Sequence, residues 1–319
     1  TFGGYADFGC VAPGTYSVCE TLKDGYINSD PGIEPSDGVS VCKSVTVQAG
    51  DTATVRFGNY EPGKGTKEGR KFHDLNGNGQ EDDHEPGLEY WEIDLFYVSP
   101  YPNGGAASLA ALNATATPSY TEQTDSDGQF GFQVEPGCYH VCEVLKPGWT
   151  QSKPMSGTNG TDLTALSTAS EIVDCGQYDN GKEYGKWGYY ECIDADEVIS
   201  DNVFGNYFTA IKKGQKYEDK NANGVKDAGE EGLAGWTINL VGTDGLGNAV
   251  SENTTTDADG YYTFTVDPGN YTVSEVCEDG WRQSEPGPVT SEADCGDNAH
   301  VVTLRSQQVD DENDFGNFK

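Results

Sequence analysis

The chain of 319 residues carries 53 Asp and Glu against 19 Lys and Arg, a formal net charge of −34. A polyanion would be repelled by so acidic a surface, which excludes nucleic acid as a partner. With 42 Gly, 14 Pro and a single Met, and with Tyr, Thr, Val and Trp filling short apolar runs, the chain reads as all-β and turn-rich; helical heptads and any membrane-spanning apolar run are missing.

Internal repeats set the architecture. Residues 1–59 read as the C-terminal part of a β-sandwich module, running from Pro13-Gly14-Thr15-Tyr16-Ser17-Val18 to Arg56-Phe57-Gly58-Asn59. The Phe-Gly-Asn ending returns at Phe204-Gly205-Asn206 and Phe315-Gly316-Asn317, and Pro-Gly-x-Tyr-x-Val returns at Pro136 and Pro268. Two further modules therefore span 68–207 and 214–319, each of about seven short strands in a sandwich. Linkers of about ten residues would stack them into a stiff rod. A longer native chain is expected to complete the first module, rather than strand exchange with another copy.

Each full module opens with a twelve-residue oxygen-rich loop. Asp74, Asn76, Asn78, Asp82 and Glu85 occupy its first, third, fifth, ninth and twelfth places, with Gly79 at the sixth and the Gln80 carbonyl at the seventh. Asp219, Asn221, Asn223, Asp227 and Glu230 repeat the spacing, with Gly224 and the Val225 carbonyl in the corresponding places. This is ligand spacing for Ca2+, a hard cation that takes six to eight oxygens. The flanks read as strands, so a stiffening ion is expected rather than a sensor that opens a groove.

Nine cysteines suit an oxidising, extracellular compartment. Their places in the repeats pair Cys19 with Cys42, Cys142 with Cys175 and Cys277 with Cys295. Cys138 is too far from Cys142 along one strand to bond it and is left for Cys192, with Cys10 over. Sequons stand at Asn113, Asn159, Asn253 and Asn270. Asp125/Asp127 and Asp257/Asp259 could hold a second cation, although Asx-stabilised hairpin turns are the plainer reading. The segment 177–192 gathers four tyrosines and Trp187, either a patch for lateral contact or sugar stacking or a loop folded onto its own sandwich. None of the four histidines lies in a Ser/His/Asp or Cys/His arrangement, so no enzyme is expected.

The segments Gly69-Arg70-Lys71-Phe72-His73-Asp74 to Glu85-Pro86-Gly87-Leu88, and Gly214-Gln215-Lys216-Tyr217-Glu218-Asp219 to Gly232-Leu233-Ala234-Gly235-Trp236, resemble the B-type repeats of the Sdr surface adhesins. Those belong to the wider Cna-B-like family of prealbumin-type sandwiches. The resemblance implies a calcium-stiffened stalk or filament at the cell surface, contacting neighbouring modules or copies of the same protein. An adhesive or carbohydrate-binding module, using 177–192 against glycans or a cell-surface ligand, is the alternative. The number of cysteines and the insertions 100–122 and 176–200 depart from the bacterial repeats. Some Cna-B-like sandwiches join a Lys on the first strand to an Asn on the last through an isopeptide bond assisted by a Glu. By position this would be Lys71–Asn206 with Glu143, and Lys216–Asn317 with Glu275. The lysine offset from the loop departs from the usual motif, and a plain strand end is the reading the residues favour.

Overall fold

Period-two alternation decides where the strands fall, because successive side chains of a strand point to opposite faces. A computed structural model of the chain describes residues 6–23, 26–30, 40–60, 63–99, 115–155, 171–287 and 298–319. The first segment forms two antiparallel pairs: β1 (Gly14–Thr21) with β3 (Ser40–Val47), and β2 (Ile27–Asp30) with β4 (Gly58–Tyr60).

The next nine strands are β5 (Gly65–His73), β6 (Glu92–Ser99), β7 (Tyr120–Gln123), β8 (Gln129–Val134), β9 (Gly137–Glu143), β10 (Trp149–Lys153), β11 (Glu171–Asp174), β12 (Trp187–Ile193) and β13 (Val198–Phe208). They form two sheets, ordered β10-β13-β5-β8 and β11-β12-β9-β6-β7. Phe130, Phe132, Val134 and Phe204 from the first sheet meet Ile93, Leu95, Tyr139 and Val141 from the second in one core. That is the face-to-face packing of a β-sandwich.

The last nine are β14 (Ala210–Glu218), β15 (Thr237–Asp244), β16 (Ala249–Thr255), β17 (Tyr261–Val266), β18 (Gly269–Glu275), β19 (Arg282–Glu285), β20 (His300–Leu304), β21 (Val309–Asp310) and β22 (Phe315–Phe318). They repeat the plan, with sheets β17-β14-β22-β19 and β16-β15-β18-β20 around Ile238, Leu240, Tyr262, Phe264, Val273 and Phe315. The chain is therefore all-β, and its long strands are antiparallel neighbours with one exception. In each sandwich the first strand lies parallel to the last, β5 beside β13 and β14 beside β21 and β22.

Two expectations need correction. Each full sandwich has nine assigned strands. The linkers are shorter than expected, since β5 starts at Gly65 and only Thr209 separates β13 from β14. Gly69 and Gly214 do not open the first strands but lie within them. A Cβ on Gly69 would come 2.3 Å from Asn202 O, and one on Gly214 2.1 Å from Asn313 O. Close backbone approach, not a turn, requires glycine there.

Candidate functional site

The inward face of β5 is not apolar. Gly65, Lys67, Gly69, Lys71 and His73 all point to the interior, and β14 matches them with Ala210, Lys212, Gly214 and Lys216. A fully buried Lys is rare unless paired, and each of these is paired. Lys71 Nζ lies 2.8 Å from the Glu143 carboxylate and donates to Asn206 Oδ1. Lys71, Glu143 and Asn206 have no exposed surface. Glu143 ends β9 and Asn206 stands near the end of β13, so three strands from two sheets deliver the cluster. In the next sandwich Lys216 Nζ is 2.9 Å from Glu275, and Asn317 lies on the adjacent β22.

Register fixes both arrangements. Asn206 stands opposite His73, two residues beyond Lys71, and Asn317 stands opposite Glu218, two beyond Lys216. An indole face covers each amine: Nζ of Lys71 is 4.4 Å from the Trp91 ring centroid and Nζ of Lys216 is 4.6 Å from that of Trp236. Burial pushes both lysines down to about 8, against the opposing pull of their glutamates. Burial likewise raises Glu143 and Glu275, with the lysines opposing. Both directions favour a neutral amine beside a protonated acid. A neutral amine against an amide carbon, with a carboxyl to move protons, is the set of groups that acyl transfer to nitrogen requires. These are the residues that the family resemblance marked, and the plain strand-end reading accounts for neither the buried amine nor the acid beside it.

Both oxygen-rich loops close on themselves in the same way. Asp74 accepts from the backbone N–H groups of Gly77, Asn78 and Gly79, and Asp219 from those of Asn223 and Gly224. Glu85 takes Leu75 N and Asp82 N, and Glu230 takes Lys220 N and Asp227 N. The Asn76 and Asn78 amides both meet Asp82 Oδ2 at 2.8 Å. Those of Asn221 and Asn223 meet Asp227 Oδ2 at 2.7 and 2.9 Å. Among the described residues no three His, Cys, Asp or Glu side chains group as metal ligands; each loop converges two amides on one carboxylate. The oxygens of the same amides accept backbone N–H groups, Asn76 and Asn221 from Asn78 N and Asn223 N, and Asn78 and Asn223 from Gln80 N and Val225 N. A cation would have to draw those oxygens toward the carboxylates of the first, ninth and twelfth places; the donor set, all oxygen, is of the kind a hard cation takes. Gln80 and Val225 lie in the loops at the places expected to offer backbone carbonyls. The sixth-place glycines, Gly79 and Gly224, both have φ of 73°, which favours glycine.

The bridges Cys19–Cys42, Cys138–Cys192 and Cys142–Cys175 are formed. Cys277 is disulfide-bonded, and its expected partner Cys295 lies outside the described residues. Cys10 is free and exposed. Asn113 and Asn159 also lie outside the described residues, while Asn253 and Asn270 are exposed on strands. Asp125 Oδ1 accepts from Asp127 N and Gln129 N, and Asp257 Oδ1 from Asp259 N and Tyr261 N. These are Asx turns, the plainer of the two readings.

In the aromatic insertion the structure agrees with the second of the two readings, a loop folded onto its own sandwich. Tyr178, Tyr184, Tyr189 and Tyr190 are all buried, and Trp187 is half-buried. Tyr178 stacks on Phe96 at 3.7 Å between centroids, and the Tyr184 hydroxyl donates to Asp94 at 2.7 Å. Tyr178, Tyr184 and Tyr190 complete a second core with Cys138, Cys142 and Cys175, and Tyr189 joins the main core of the sandwich.

Sequence reasoning missed Lys67, Glu191 and Asn202, which form a further buried cluster. The missed signal is a spacing of four that repeats along both strands, Lys67 before Lys71 and Asn202 before Asn206.

The arrangement defines a class: tandem β-sandwiches whose first and last strands run parallel and share a buried Lys–Glu–Asn cluster. Residues 214–317 match the family described as the SdrD B-like domain, and the resemblance read from the loops stands. The chain is 26% identical over 296 residues to serine-aspartate repeat-containing protein F of Staphylococcus epidermidis, covering 88% of this chain and 15% of that protein. It is 27% identical over 316 residues to serine-aspartate repeat-containing protein D of Staphylococcus aureus strain Newman, covering 96% and 21%. The chain thus spans about a fifth or less of the length of these curated relatives. Among solved structures, the Bacillus anthracis TIE protein aligns at 16% identity and TM-score 0.34, covering 96% of this chain and 42% of that one. The shaft pilin SpaA of Lactobacillus rhamnosus GG aligns at 13% and 0.29, covering 80% and 97%. At those scores neither bears on the fold, which rests on the strand pairing itself. No described helix is long and apolar enough to cross a membrane.

Proposed function

We propose that this chain is a load-bearing stretch of an extracellular structural protein, a stalk or filament whose sandwiches are stapled internally. The observation that carries the reading is the buried Lys71–Glu143–Asn206 cluster on adjacent first and last strands, repeated at Lys216, Glu275 and Asn317. In each cluster the neutral lysine amine attacks the asparagine side-chain carbon. Protonated glutamate first supplies a proton to the amide group and then recovers one from the attacking nitrogen. The C–NH2 bond breaks, a new C–N bond forms, and one ammonia leaves, with no oxidant or reductant needed. Tension entering at the first strand then passes through the staple to the last, bypassing the strands between. Disulfides and the similarity to serine-aspartate repeat-containing proteins support placing the chain outside the cell. The protein's only proposed chemistry is upon itself.

Asp74, Asn76, Asn78, Asp82 and Glu85, with the Gln80 carbonyl, would hold one Ca2+, and Asp219, Asn221, Asn223, Asp227 and Glu230, with the Val225 carbonyl, a second. The ion would supply positive charge that ties these oxygens together and offsets some of the acidic surplus. The first loop lies at the joint between sandwiches: a Cβ on Gly245 would sit 2.0 Å from Asn76 O, and Ser306 N donates to Leu75 O at 2.8 Å. Ordering that loop would stiffen the joint.

Peptide mapping of the purified chain tests the staples. Lys71 and Asn206 should be recovered in one branched peptide lacking the mass of one ammonia, as should Lys216 and Asn317, and Glu143→Gln should leave the first pair unlinked. Recovery of all four residues in separate linear peptides of full mass would overturn the reading.

A further inference from the structure

The middle sandwich contains a second cluster of the same kind, four residues back along the same two strands. Lys67, Glu191 and Asn202 are all buried, with at most 1% of their surface exposed. Lys67 Nζ lies 3.1 Å from Glu191 Oε2, and the Asn202 amide donates to Glu191 Oε1. One carboxyl therefore bridges the amine and the amide. Lys67 Nζ also donates to Glu68 O at 2.8 Å and Ile199 O at 3.1 Å. Asn202 Oδ1 has no hydrogen-bond partner among the described residues.

The register argues most strongly. In the ladder between β5 and β13, Ile199 stands opposite Lys67 and Asn202 opposite Gly69, so three steps on β13 match two on β5. This irregularity places Asn202 opposite the residue two beyond Lys67. Asn206 bears the same relation to Lys71, and Asn317 to Lys216. Without the extra residue, Asn202 would fall out of that relation. Burial lowers Lys67 from the ordinary lysine range, with Glu191 opposing. A buried ion pair must overcome the desolvation of two charges, whereas an amide leaves none to desolvate.

The third sandwich provides an internal contrast. Lys212 stands four residues before Lys216, as Lys67 does before Lys71. Glu191 pairs with Tyr139, but the residue paired with the matching Tyr271 is Val302. With valine at the place where Glu191 stands in the middle sandwich, Lys212 turns to Asp310 at 2.7 Å, at the sandwich margin.

We propose that Lys67 and Asn202 form a second isopeptide cross-link within the middle sandwich, assisted by Glu191. The chemistry rests on the reading given for Lys71 and Asn206: Lys67 Nζ bonds to Asn202 Cγ, the Cγ–Nδ2 bond breaks, Glu191 passes the proton, and ammonia leaves. Two links on one pair of parallel strands would hold the register at both ends. The third sandwich would carry one link, with Lys212 free.

Intact mass and peptide mapping of the full chain, reduced and alkylated, test this directly. The expected chain is short by three ammonias, with Lys67 joined to Asn202 and Lys71 to Asn206. Lys67→Arg should restore one ammonia while leaving the Lys71–Asn206 link in place, and Glu191→Gln should do the same. A chain short by two ammonias, with Lys67 and Asn202 in separate peptides, overturns this link alone. A chain of full mass overturns it together with the reading on which it rests. Mapping of the unaltered chain decides the matter even where a variant fails to fold.

Discussion

His73 of the middle sandwich meets Ser306 of the next across the joint, Nε2 to Oγ at 2.7 Å. The same Oγ accepts Phe208 N at 2.8 Å, and Ser306 N reaches back to Leu75 O. One buried serine thus ties the first strand's end, the last strand's end and the cation loop of one sandwich to the next. Ser306→Ala leaves two polar groups without their partner at a cost of about 1–3 kcal/mol. We expect thermal unfolding of the two sandwiches to separate into two transitions in scanning calorimetry, with the joint more open to limited proteolysis.

The Ca2+ proposed for the two loops predicts a stability that depends on divalent metal. Chelation should lower the melting temperature and loosen the joint without unfolding the sandwiches, because bridges and staples persist. Asp82→Ala, which removes the carboxylate on which two amides converge, should abolish the response at the first loop and leave that at the second. Unchanged melting with and without chelator would count against calcium.

Ala222 occupies the fourth place of the second loop at φ 56°, where the first loop has Gly77 at φ 70°. A residue with a Cβ in the left-handed region costs roughly 1–2 kcal/mol. Ala222→Gly should therefore stabilise the last sandwich by about 1 kcal/mol in chemical denaturation, and a destabilised variant would show that the loop does not hold this conformation.

His140 is fully buried in the second core, with the Tyr178 hydroxyl 3.1 Å from Nδ1 and the Tyr190 ring beside it. Burial pushes its pKa down to about 4 from 6.5. The unfolded chain therefore binds the proton first, and the native state loses stability as pH falls from 6.5 towards 4. The loss approaches about 3 kcal/mol at the lower end. His140→Gln should flatten this part of the stability profile measured by denaturant titration; an unchanged slope would place the acid sensitivity elsewhere.

Much of this was legible in the sequence. Asp74–Glu85 and Asp219–Glu230 announced themselves because side-chain spacing is local, and Phe130-Gly131-Phe132 announced a strand because alternation is local. The Lys71–Glu143–Asn206 positions came from family likeness alone, since their meeting depends on a parallel pairing between strands far apart in sequence. Lys67 escaped notice because its one signal, the spacing of four that sets it before Lys71 as Asn202 stands before Asn206, does not by itself separate an inward lysine from an exposed one. Its burial follows only once Gly69 is seen pressed against Asn202, which puts Gly65, Lys67, Gly69 and Lys71 on one face. Burial of the tyrosines of 177–192 was one of two readings the sequence offered, and it could not choose between them because Phe96, Cys138 and Cys142, which build the core that receives Tyr178, Tyr184 and Tyr190, are distant in sequence.

The central claim is mechanical and can be measured by pulling single molecules of the reduced chain by its ends. Lys71 and Asn206 are 135 positions apart, which is roughly 47 nm of extended chain at about 3.5 Å per residue. We predict that this length, and the stretch between Lys216 and Asn317, will be missing from the extension gained at any force that spares covalent bonds, and that the first stretch alone will return in the double variant Lys67→Arg, Lys71→Arg, which removes both links of the middle sandwich. Full extension of the unaltered chain would contradict the account.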